Sequence, residues 1–164
     1  MIELIKQLES SDEFSNWKKE NKDSYFCSAF TIIEGKEKPI WQLDYYNSEN
    51  DKITSFIIDK FIKRQESEKA FKKDETKIKE IKSDDIKIDF DEALNIANKV
   101  IKEKYNGNQV NKIILILQNL EKTLWNITFL TSSFNLINIK ISCEDGKLIS
   151  KKIESLLKYK ENLS

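Results

Sequence analysis

The sequence predicts an α+β fold in which two helix-plus-antiparallel-sheet repeats pack as one compact body. Three observations lead there. Apolar residues recur at period two through several runs of strand length, the pattern of strands with one buried face. The run IWQLDYYNS at 40–48 is matched by LWNITFLTS at 124–132, and Trp125 stands 84 residues after Trp41 (125 − 41). Each set of strand-like runs is preceded by a segment with helical periodicity.

Taken in order, Ile2, Ile5, Leu8, Phe14 and Trp17 place a helix over about residues 3 to 21, with a break at Ser10-Ser11. Phe26, Phe30 and Ile32 begin the strands. Gly35 to Pro39 separates the first strand from the second, which carries Trp41, Leu43 and Tyr45. Asn47 to Asp51 separates the second from the third, with Ile53 and Ile57. The same offset pairs Phe26 with Val110, Phe30 with Ile114, Ile32 with Ile116, Ile53 with Ile137 and Ile57 with Ile141, so each matched pair is expected on one buried face. Residues 60–88 carry dense alternating charge and read as a solvated connector anchored by Phe61, Phe71, Ile78 and Ile81. Asp89, with Glu92 three residues on, offers a helix N-cap. The stripe Ala93, Leu94, Ile96, Ala97, Val100, Ile101 and Tyr105 follows, and Gly107 ends it. Asp145-Gly146 marks a hairpin, and residues 148–164 form a last strand or helix. The boundaries are 1–85 for the first repeat with its connector and 86–164 for the second.

Composition excludes several function classes. Lys plus Arg equals Asp plus Glu at 28 each, so no net field draws the chain to nucleic acid or anionic lipid. Arg64 is the single arginine, which removes most bidentate phosphate recognition. No nucleic-acid or membrane partner is expected. No run of about 18 apolar residues spans a membrane, and the acids and amides of the first 14 residues do not resemble a secretory leader. The expected location is cytoplasmic, unless an export signal has been removed. Cys27 and Cys143 lie in no metal-binding or redox spacing and read as buried reduced thiols, with a disulfide the alternative. Cys143 keeps step with Ile137, Ile139 and Ile141, which points it into the core.

The chain contains no histidine, which excludes Ser-His and Cys-His activation and histidine metal sites. Its three glycines are isolated, so no Gly-rich phosphate loop exists. Asp44, Asp59, Asp89, Asp91 and Glu92 leave carboxylate-only catalysis formally open, but surface charge and helix capping account for such residues. Asp84, Asp85, Asp89, Asp91 and Glu92 match no calcium-loop spacing, and acids are favourable at a helix N-terminus in any case. The expectation is a protein that is not an enzyme and uses no metal or cofactor. Trp41, Trp125, Tyr45 and Phe129 occupy equivalent positions and form either a ligand-holding aromatic set or core, with core the better account. Tyr46, in opposite phase, is expected to face out or toward another chain. The candidate binding residues are therefore Tyr46, Tyr45, Trp41 and Trp125.

The runs FDEALNIANKVIKEKYNG (90–107), LWNITFL (124–130) and INIKISCEDGKLIS (137–150) resemble the PepSY-like pattern: a helix opening on acid and Glu-Ala, a Trp-centred strand, and a strand ending in a hairpin before aliphatics. The resemblance covers about half the chain, and the first half echoes it as a divergent tandem copy. It implies a cystatin-like α+β shape and a noncatalytic binding or regulatory role, since members of that family include segments that inhibit or chaperone secreted peptidases. Cys143 stands where the family has an aspartate, and no functional residue is carried over. The expected function is a protein- or peptide-binding or regulatory module, acting by strand addition to an open sheet edge or by self-association. The alternative is a small-molecule-binding domain with a cavity between helix and sheet.

Overall fold

The computed structural model describes residues 1–35, 37–70, 77–104 and 109–156. The chain opens on α1 (Ile2–Glu9) and α2 (Asp12–Glu20), separated at Ser10-Ser11 as the sequence indicates. Ser11 makes the break: its Oγ accepts from the Phe14 N–H at 3.2 Å and donates to the Leu8 carbonyl at 2.6 Å, ending one helix and capping the next. Strands β1 (Ser24–Glu34), β2 (Trp41–Asn47), β3 (Lys52–Ile58), β4 (Ile62–Arg64) and β5 (Glu68–Lys69) follow. A short 3-10 turn at Ser83–Asp85 leads into α3 (Phe90–Lys104), and then come β6 (Val110–Asn119), β7 (Thr123–Thr131), β8 (Asn135–Ser142) and β9 (Leu148–Ser155). Tyr105, Gly107 and Phe71 lie outside the described residues.

The strands form a single antiparallel sheet in the order β4-β3-β2-β1-β6-β7-β8-β9, with β5 pairing β3. This corrects the expected fold class: there are not two helix-plus-sheet repeats packed against each other, and no cystatin-like pair of units. The junction is the β1–β6 ladder, in register from Ser28↔Gln118 to Glu34↔Lys112. Hydrogen bonding makes one sheet here because β1 and β6 both carry unbroken extended runs whose edges would otherwise be left unpaired.

Period-two burial sets the layers. Ala29 of β1, Leu43 of β2, Leu115 and Leu117 of β6, Ile127 and Phe129 of β7, and Ile139 of β8 share one face and are fully buried. The helices cover that face, α1 and α2 over β3 and β4, α3 over β7 and β8. Phe14 and Trp17 of α2 enter an aromatic cluster with Tyr45 and Phe56, the Phe14–Tyr45 ring centroids 4.9 Å apart and Trp17–Phe56 5.1 Å. Cys143 is buried in the same core, and its carbonyl accepts from the Lys87 and Ile88 N–H groups at 3.0 and 2.9 Å, tying the entry to α3 to the end of β8. Gly146, at φ +69°, makes the turn toward β9; a Cβ there would lie 3.1 Å from Ile96 Cδ1 of α3.

The first and third strands depart from the expected equivalence. Phe30, Ile32, Ile114 and Ile116 lie on the face away from the helices, Ile32 being 40% exposed, and Ala29, Thr31, Leu115 and Leu117 take the buried positions, because the bulge between Phe26 and Ser28 shifts the phase of β1 after Phe26. Ile137 and Ile141 are buried on the helix face, whereas Ile53 lies on the other face, packed with Cys27 and Tyr46, and β3 sends Phe56 and Ile58 to the core in place of Ile57. Four residues (48–51) join β2 to β3, while three (132–134) join β7 to β8. One residue of difference inverts the phase of a strand. Of the connector's expected anchors, Ile81 is buried and Ile78 packs on the outer cluster, but Phe61 is 74% exposed. No helix among the described residues is long and apolar enough to cross a membrane.

Candidate binding clefts

The structure separates the four aromatic candidates into three places. Trp41 and Trp125 meet edge-on, their ring centroids 6.2 Å apart at 66°, and Phe90 of α3 lies 5.2 Å from Trp41. Trp125 is fully buried, and its indole N–H donates to the Ile88 carbonyl at 2.9 Å, so its one polar atom is committed to holding the α3 entry. Trp41 is nearly as buried but forms part of the floor of a cleft of about 760 Å³ between α1, the first turns of α3 and the ends of β1, β2 and β3. Leu4, Ile33, Ile58, Phe90 and Leu94 give this cleft apolar walls. Glu3, Lys38, Asp59, Lys60 and Asp91 ring it with charge of both signs.

Tyr45 takes part in a second recess, of about 520 Å³, between α1, α2, β1, β2 and residues 80–83. Its ring is buried in the aromatic cluster and its hydroxyl donates to Glu9 Oε1 at 3.0 Å. Burial, followed by the neighbouring Glu9 carboxylate, raises the Tyr45 pKa well above that of an ordinary phenol. Tyr46 is corrected in the opposite sense: in place of facing solvent or another chain, it is 6% exposed, on the far side of the sheet. Its ring packs edge-on to Tyr25 at 5.6 Å, among Cys27, Ala70, Ile53 and Ile78, and its hydroxyl donates to Asp51 Oδ1 at 2.8 Å. The charged connector supplies Ala70 and Ile78, which cover it.

Two of the carboxylates expected to be structural, Asp44 and Asp89, have identifiable partners. Asp44, 8% exposed, accepts from Ser28 Oγ (2.6 Å), Ser55 Oγ (2.7 Å) and Gln42 Nε2 (2.8 Å), a set that satisfies a buried anion on the outer face. Asp89 accepts from the Phe90 N–H at 2.6 Å and from the Met1 amino group at 2.7 Å, joining the start of α1 to the start of α3. Burial, with the nearby Asp44, pushes the Cys27 thiol up to about 12; burial, with Asp85 and Asp89, does the same to Cys143. Neither sulfur has appreciable thiolate character near neutral pH. No group of three or more metal-ligating side chains converges among the described residues.

Sequence reasoning missed Phe90 and Leu94 as cleft walls and Glu9, Lys18 and Ser24 as a polar group. Phe90 and Leu94 lie four apart on one helix, a legible spacing, but their facing wall comes from α1, some 90 residues earlier in the chain (94 − 4). Ser24 keeps phase with Phe26, which alone could have placed it on the helix face.

No protein-family model matches the chain, and no curated protein matches it. A solved structure described as a "putative lipoprotein" from Clostridium difficile 630 is similar, with a TM-score of 0.56 and 18% sequence identity. The match covers 87% of this chain and 91% of that one. At that identity the likeness concerns the fold alone.

Proposed function

We propose that the protein is a noncatalytic binding module whose ligand inserts an apolar group into the cleft between α1, α3 and the sheet. The observation that supports this most is the cleft itself: about 760 Å³, with Trp41, Ile33, Ile58, Phe90 and Leu94 as apolar lining and the charge nearest to them taken up in the Met1–Asp89 ion pair. Ligand sites are commonly concave and mostly apolar, with a few polar groups for orientation, and fall in the range of about 300–1,000 Å³. The absence of histidine from the sequence and the two buried high-pKa thiols favour binding over nucleophilic catalysis. The PepSY-like resemblance of the second half agrees with a noncatalytic role.

The alternative route, strand addition, has its opening at β9, the terminal strand of the sheet, where Leu148, Ile149 and Ile153 are exposed. Lys151 and Lys152 stand at its centre, and lysines on an edge strand discourage pairing, so the cleft is the better seat. We propose a cytoplasmic location, which agrees with the two free thiols. A lipoprotein, as the structural neighbour is described, would suit a module outside the cytoplasm, and fractionation of the native host with immunoblotting decides between them.

The test is a fluorescence titration of the full chain with the neutral apolar dye Nile red, beside Leu94→Arg, which places a charged side chain on the cleft wall. The reading expects saturable binding to the wild type and at least tenfold weaker binding to the variant, with both chains melting cooperatively. Equal affinity in the two would remove the cleft as the seat.

A further inference from the structure

The recess beside Tyr45 differs in chemistry from the Trp41 cleft and has a built polar end. Ser24, the first residue of β1, is 3% exposed and faces the helices in phase with Phe26. Its Oγ is buried and has no hydrogen-bond partner among the described residues. A buried hydroxyl without a partner is unusual in a folded protein, because desolvation then goes uncompensated. Beside it, the Lys18 ammonium donates to the Ser24 carbonyl and, at 2.9 Å, to the Lys22 carbonyl, leaving one of its three N–H donors uncommitted. Across the recess, Glu9 accepts one bond from Tyr45 and keeps further acceptor capacity on its carboxylate. No ion pair joins Glu9 to Lys18. Ile5, Phe14, Phe26 and Ile81 supply the apolar part of the wall.

Glu80 and Lys82 add one further charge of each sign to the lining, so the recess presents a carboxylate with spare acceptor capacity, a cation with a free donor and an unused buried hydroxyl, set against an apolar surface. A ligand complementary to all of these has an ammonium and a carboxylate on one small framework, with an apolar substituent. We propose that this recess binds a free apolar amino acid as its zwitterion. Its ammonium donates to Glu9, its carboxylate accepts from Lys18 and Ser24 Oγ, and its side chain rests against Phe14, Phe26 and Ile81. Opposite charges at the two ends discriminate against plain amines and plain acids, each of which would leave one protein charge without a partner. A peptide N-terminus presents the same ammonium but an amide in place of the carboxylate, so the amide analogue separates the two sources. The inference does not depend on the Trp41 cleft.

The experiment is isothermal titration calorimetry on the full chain with L-leucine, L-methionine and L-phenylalanine, then with L-leucinamide, isopentylamine and 4-methylpentanoate. The proposal expects saturable one-to-one binding of at least one amino acid and at least tenfold weaker binding of the analogues of L-leucine or their counterparts. Glu9→Gln and Lys18→Met, both on accessible helix positions, should each weaken the amino acid at least tenfold, and Ser24→Ala about tenfold, the loss of one hydrogen bond to a charged group. Leu94→Arg should leave this affinity unchanged. No saturable heat with any of the three amino acids, equal affinity for the amide, or loss through Leu94→Arg and not through Glu9→Gln would each overturn it.

Discussion

Trp41 and Trp125 come from strands 84 positions apart yet touch edge-on at 6.2 Å, which makes their coupling a direct reading of the single shared core. The perturbation is Trp41→Leu, Trp125→Leu and the double variant. Truncating a buried Trp to Ala costs about 3–5 kcal/mol, so Leu at either position should cost about 2–4 kcal/mol. Trp125→Leu also leaves the Ile88 carbonyl without its 2.9 Å donor, which adds about 1 kcal/mol. An edge-on aromatic pair contributes about 0.5–1.5 kcal/mol beyond area burial, and that is the amount by which the double variant should fall short of the summed singles. Urea denaturation followed by far-ultraviolet circular dichroism gives the four stabilities, and Trp17 remains as a fluorescent reporter of the α2 side. Losses that add to within about 0.3 kcal/mol, or two separate transitions reported by the two probes, would refute the argument that β1–β3 and β6–β8 share one core.

Three further outcomes follow from the packing. Gly146→Ala should cost at least about 1–2 kcal/mol, because L-residues resist the φ of +69° and the new methyl would press on Ile96 at 3.1 Å; a neutral result in thermal denaturation would show the turn to be relaxed. Tyr46→Ala should lower stability by about 3 kcal/mol while leaving ligand affinity in the Trp41 cleft unchanged, since the ring is buried on the opposite face; a lost ligand with intact stability would restore Tyr46 as a contact residue. For pH, both thiols have their folded pKa raised above the ordinary 9.0 to about 12, so the folded chain holds protons that the unfolded chain releases in that interval. Stability is therefore complete below pH 9 and declines as pH rises toward 12, by up to about 1.4 kcal/mol per pH unit for each thiol. Urea midpoints between pH 8 and 10.5 for the wild type and for Cys27→Ala/Cys143→Ala check this, and identical slopes would contradict it.

Much of the local structure was legible because periodicity reports which face of an element is buried. The break at Ser10-Ser11, the α3 stripe, the buried faces of β2, β7 and β8 and the inward Cys143 all follow from spacing and capping chemistry, whereas the buried faces of β1, β3 and β6 do not, since bulges and turn length shift their phase. The sheet itself was not legible, because alternation says nothing about which edges meet, and β1 pairs with both β2 and the distant β6. The inverted phase of β3 depended on a single residue of turn length. Tyr46 was misplaced because its cover, Ala70 and Ile78, comes from a connector whose charge marked it as solvated. Of the site, the aromatic floor could be read from the repeated Trp positions. The recess beside Tyr45 could not, since Glu9, Lys18 and Ser24 are ordinary surface-type residues until α1, α2 and β1 bring them together.

The central claim, a ligand seated in the Trp41 cleft, is tested most directly by native mass spectrometry of the chain purified without denaturation from its host, beside Leu94→Arg prepared in the same way. A discrete added mass on the wild type that is absent from the variant is the predicted result. A wild type without any adduct, or the same adduct on both chains, would contradict it.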